Sequence, residues 1–73
     1  MHLSQAQRIL NSGQPVDISV WKADGSVMSL RSAVSLRYDF YGGFRNMKVV
    51  GSGGIRRIRD CCIFMLNGEE VEL

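Results

Sequence analysis

Proline and histidine each occur once in this chain, cysteine twice, and no apolar run is long. Each scarcity excludes something. His2, the only histidine, lies at one end of the chain, so no serine or cysteine has an internal imidazole to activate it. Cys61 and Cys62 are adjacent. In a strand they point to opposite faces, and a bridge between neighbours is strained. Two adjacent cysteines and one distant histidine fall short of the four ligands of a zinc site. Neither a disulfide nor a metal is therefore expected, and free cysteines in an apolar strand point to a reducing, cytoplasmic setting. No segment approaches the ~20 apolar residues of a membrane span. Met1–Leu10 is too interrupted by His2, Gln5, Gln7 and Arg8 for a signal peptide. Neither G-x-x-x-x-G-K-[ST] nor G-x-G-x-x-G occurs. Enzymatic activity, a cofactor and a small-molecule substrate are all unexpected.

What is present is alternation. From Val27 to Phe40, Met28, Leu30, Val34, Leu36, Tyr38 and Phe40 share one parity, and Ser29, Arg31, Ser35, Arg37 and Asp39 the other. Period two is the mark of a half-buried strand. Fourteen residues form a long strand for a small sheet, so a bend is expected near Ser32-Ala33. Before it, Ser4 to Gly13 reads as a short helix: Ser4 as N-cap with Gln7 completing a capping box, Ala6, Ile9 and Leu10 on one face, Gly13 at the C-terminal left-handed position. Strands are expected at about 16–22, 27–40, 44–50, 55–66 and 69–73, with the helix at about 4–12. Turns fall at Ala23–Ser26, Tyr41–Gly43, Gly51–Gly54 and Asn67-Gly68, the last a strong two-residue hairpin signal.

The 73 residues make one domain, 1–73, mainly β (α+β). The expected form is a helix and about five antiparallel strands in a meander, as an SH3-like or Sm-like small barrel or an open β-roll. So small a chain buries only about 60–65% of its unfolded surface, which favours a partner subunit or homo-oligomer.

Net charge is only +2, but it is segregated. Residues 22–59 hold eight bases and two acids, whereas residues 60–73 hold four acids and no base. Such a split suits an anionic partner or a head-to-tail contact between subunits, unless both signs meet and pair on the folded surface. Arg45, Lys48, Arg56, Arg57 and Arg59, with Tyr41 and Phe44 nearby in sequence, have the composition of a single-stranded nucleic-acid face, where charge tracks the backbone and rings stack on bases. The same arginines also suit the defence of an edge strand against aggregation. Gly51-Ser52-Gly53-Gly54 before Ile55-Arg56-Arg57 has the backbone freedom of an anion nest, but a strand rather than a helix is expected after it, and it reads as a hairpin loop. Trp21 falls on the polar parity of its strand. It is either an interface anchor or covered by Ile9 and Leu10 of the docked helix.

At the level of architecture, a helix and five bent strands resemble the Sm-like family. Phe64-Met65-Leu66-Asn67-Gly68-Glu69-Glu70-Val71 is similar to that family's second motif: apolar residues, a polar-glycine step, then a short strand. Asn67 stands where the family carries a base. The resemblance implies an architecture and no site residue.

The expected role is thus a small non-enzymatic interaction module, binding protein or itself through Trp21, Ile9 and Leu10, of a size that compact bacterial or phage genes encode. The alternative is a single-stranded RNA- or DNA-binding barrel with a basic face.

Overall fold

The computed structural model describes residues 1–39 and 42–73, with residues 37–39 described by backbone alone. Helix α1 spans Leu3–Asn11. Six strands follow: β1 (Val16–Trp21), β2 (Val27–Asp39), β3 (Phe44–Val49), β4 (Ile55–Arg59), β5 (Ile63–Leu66) and β6 (Glu69–Glu70). They form one antiparallel sheet in the order β4-β3-β2-β1-β5-β6. The mainly β class is as expected. Among the described residues the sheet is an open roll and not a closed barrel, because β4 and β6 stand at opposite ends of the order.

There are six strands rather than five because the expected strand at 55–66 breaks. Asp60–Cys62 form a single 3-10 turn that carries the chain from one edge of the sheet to the neighbour of β1. Cys61 and Cys62 therefore do not alternate across a strand: Cys61 is exposed and Cys62 half-buried, both as free thiols.

The helix begins earlier than the sequence suggested. Met1–Leu3 is tied to the far end of the chain: the Leu3 N–H donates to the Glu72 carbonyl (2.7 Å) and the Glu72 N–H to Met1 (2.9 Å). This holds His2 extended, and His2 Nδ1 rather than Ser4 caps the helix by accepting the Ser4 N–H at 3.2 Å. Gly13 takes φ 81° just past the end, where a β-carbon would be strained. Nine residues are too few for an independent helix. Ala6 and Leu10 are fully buried against the sheet, with Ile9 packed beside them. The core is completed by Val16, Ile18, Val20, Ala33, Met47, Ile58, Ile63 and Leu66.

Strand β2 bends where expected, at Ser32, which has φ 50°. The Asp17 carboxylate accepts its N–H at 2.9 Å and its carbonyl takes the Val50 N–H at 2.9 Å. The bend inserts a residue against β1, since Val16 faces Ala33 while Ile18 faces Leu30. A second bulge follows, where Ser35 faces Met47 and Arg37 faces Asn46. Each extra residue flips the faces. The expected single apolar parity is thereby corrected: Met28 and Leu30 pack on the core, then Ala33 takes the inward place, Val34 sits opposite Lys48, and Leu36 stands 53% exposed. At the Asn67-Gly68 hairpin both residues take positive φ, 51° and 81°, as a type I′ turn requires. The Asn67 side chain accepts the Asp17 N–H at 3.0 Å, which pins this tip to β1.

Candidate functional site

Two charged residues sit on apolar parities, Arg45 beside Met47 in β3 and Asp60 after Ile58 in β4. They meet in the interior. Arg45 is 1% exposed and Asp60 3%. The guanidinium and carboxylate are bidentate, Nε to Oδ1 at 2.7 Å and Nη2 to Oδ2 at 2.8 Å. Arg45 Nη1 also donates to Asn11 Oδ1 (3.1 Å) and Ser35 Oγ (3.2 Å), and Gln7 Nε2 donates to Asp60 Oδ2 (2.9 Å). Two planar ions in this fork satisfy most of each other's hydrogen-bonding capacity, which makes burial tolerable. Arg45 is thus not a surface contact for nucleic acid. It fastens α1, β2, β3 and the 3-10 turn into one corner.

Apart from that corner, the molecule carries a cleft of about 660 Å³. The cleft lies between β4, which has a strand neighbour on one side only, and the end of the β1–β2 hairpin. Val20, Met28 and Ile58 line its interior, and Cys62 closes the end nearest the turn. Burial, followed by the neighbouring Cys61 thiol, pushes the Cys62 thiol up. Lys22, Arg56, Arg57 and Arg59 line the rest, and among the described residues no carboxylate does.

Alternation brings Phe44, Arg57 and Arg59 to one face, because Phe44 pairs with Arg59 and Arg57 is two residues along. The guanidinium carbons of Arg57 and Arg59 lie 4.0 and 4.7 Å from the Phe44 ring centroid. Phe44 thereby anchors two cations. The free ring of the cleft is Trp21, 51% exposed. Its indole rests on Phe64 with centroids 5.0 Å apart and planes tilted by 32°. Phe64 reaches this outer position because β5 bulges there: Ser19 faces Met65 while Val20 faces Ile63. Beside Trp21, the Ser26 hydroxyl and then its N–H donate to Asp24, which holds that carboxyl below the usual aspartate range.

The structure therefore gathers Trp21, Phe44, Arg56, Arg57 and Arg59 and adds Lys22, which sequence reasoning missed although it follows Trp21 directly. Lys48 is exposed on the outer face of β3, paired with Val34 and Ile55, and does not line the cleft. Tyr41 lies outside the described residues. Leu10 is fully buried and Ile9 half-buried on the core, while the ring that Trp21 rests on is Phe64. Gly51–Gly54 is the β3–β4 hairpin loop, closed by the Val49 N–H on the Gly54 carbonyl at 2.9 Å.

Among the described residues, no three metal-ligating side chains come together and no helix is long and apolar enough to cross a membrane. No family model, no curated protein and no solved structure matches this chain.

Proposed function

We propose that this chain is a non-enzymatic module that binds single-stranded RNA or DNA in the cleft beside β4. The observation that carries the reading is the union of four cations and one half-exposed indole in a cleft with no carboxylate among the described residues. Phosphates run along Lys22, Arg56, Arg57 and Arg59. A base stacks on the open face of Trp21, whose other side is braced by Phe64. The guanidinium groups held by Phe44 are pre-positioned, so less side-chain freedom is lost on binding.

The test is fluorescence anisotropy of labelled single-stranded oligonucleotides. With four phosphate contacts, log affinity should fall against log salt with a slope of about −3. Arg56→Ala with Arg57→Ala should flatten that slope by about 1.4, and Trp21→Ala should cost about 1–3 kcal/mol, 5- to 150-fold, with little change of slope. Absence of binding at low salt refutes the reading. The same indole favours a second reading, in which Trp21 anchors a protein partner. In that case binding is carried by a protein, survives moderate salt and still fails with Trp21→Ala.

A further inference from the structure

The second feature of this molecule is charge left uncompensated at both edges of the sheet. Among the described residues Arg45–Asp60 is the one ion pair within 4.0 Å. Arg57 and Arg59 stack on Phe44, and Arg56 Nη1 donates to the Ile55 carbonyl at 3.2 Å. Glu69, Glu70 and Glu72 are all exposed, and among the described residues none has an ion-pair partner within 4.0 Å. The two groups stand on β4 and at β6, the opposite ends of the six-strand order, and among the described residues no ion pair joins them.

We infer that a second copy of this chain occupies the basic cleft, with its exposed Glu69–Glu72 segment against Arg56, Arg57 and Arg59. Three acids match three guanidinium groups, and Leu73, 78% exposed beside Glu72, offers an apolar group to the interior of the cleft. The backbone on the outer side of the Glu70–Glu72 stretch is already bonded to Met1–Leu3, so the contact runs through side chains and not through a continued ladder. The two patches differ, so the association is heterologous: after the first contact one copy retains a free acidic patch and the other a free basic one. Exposed ion pairs are individually weak, which makes the contact weak and sensitive to salt. Nucleic acid and the second copy then compete for the same arginines. The competition, unlike the association, rests on the nucleic-acid reading.

Sedimentation velocity on two variants tests this. One replaces the acids (Glu69→Gln, Glu70→Gln, Glu72→Gln), the other the bases (Arg56→Ala, Arg57→Ala). All these residues are exposed, and circular dichroism checks that both variants fold. Wild type should grow in mass with concentration at about 20 mM salt and lose this at about 300 mM. Each variant alone should stay monomeric, while their equimolar mixture should form a 1:1 dimer, since one complementary pair of patches survives. A monomeric wild type at low salt, or a mixture that stays monomeric, overturns the association. In the anisotropy assay, the acid-replaced variant should bind oligonucleotide at least as tightly as wild type. A mixture that dimerises while neither protein binds oligonucleotide upholds the association and overturns the competition together with the nucleic-acid reading.

Discussion

Deleting either partner of the Arg45–Asp60 pair removes the bidentate contact of a buried charge, at a cost of about 3–5 kcal/mol. A 73-residue domain has roughly 4–11 kcal/mol in total. Arg45→Ala and Asp60→Ala should each remove most of the stability in urea unfolding. The double change Arg45→Met with Asp60→Leu should recover much of it, because no charge remains buried and Asn11, exposed, and Gln7, half-exposed, can turn to water. The two thiols differ in the same local way. Cys61 is exposed, whereas Cys62 is half-buried with its thiol pushed up, first by burial and then by its neighbour. Iodoacetamide should modify Cys61 first, read by peptide mass mapping. Equal rates would contradict the asymmetry.

Two bulges in β2 and one in β5 determine which side chains of those strands turn to the core and which turn outward. The Ser32 bend places a β-carbon residue in the left-handed region, a strain of about 1–2 kcal/mol. Ser32→Gly should gain about 0.5–1 kcal/mol after its extra chain entropy is counted, and Ser32→Val should lose about 1–2, both read by chemical denaturation. The bend itself was legible from strand length. The reversal of faces at Val34 and Leu36 was not, since it needs the Asp17 carboxylate of another strand to accept the Ser32 N–H. The break at Asp60–Cys62 was hidden for a related reason: the only local signal was an acid on an apolar parity, and its partner Arg45 lies fifteen residues away.

Across the whole molecule, a modest net charge of +2 conceals opposite patches at the two edges of one sheet. The cations that line the cleft repel each other, so an anionic ligand should stabilise the fold. An oligonucleotide at 100 times its Kd adds about 2.7 kcal/mol by mass action. For a domain of this size that should raise Tm by roughly 10–20 °C in a thermal melt at low salt, and the rise should vanish when Arg56 and Arg57 become Ala.

The β class, the site of the bend, the glycine past the helix and the Asn67-Gly68 turn follow from the sequence alone, because each depends on residues within a few positions of one another. The helix N-cap, the fate of each charge and the place of the cleft were settled only by tertiary structure. Arg45 and Arg57 belong to the same basic stretch, yet one is buried in a bidentate pair and the other lies over a ring in the cleft. Strand parity and the 3-10 turn separate them. Both arise from contacts between segments far apart in the chain, and no local pattern of residues encodes such contacts.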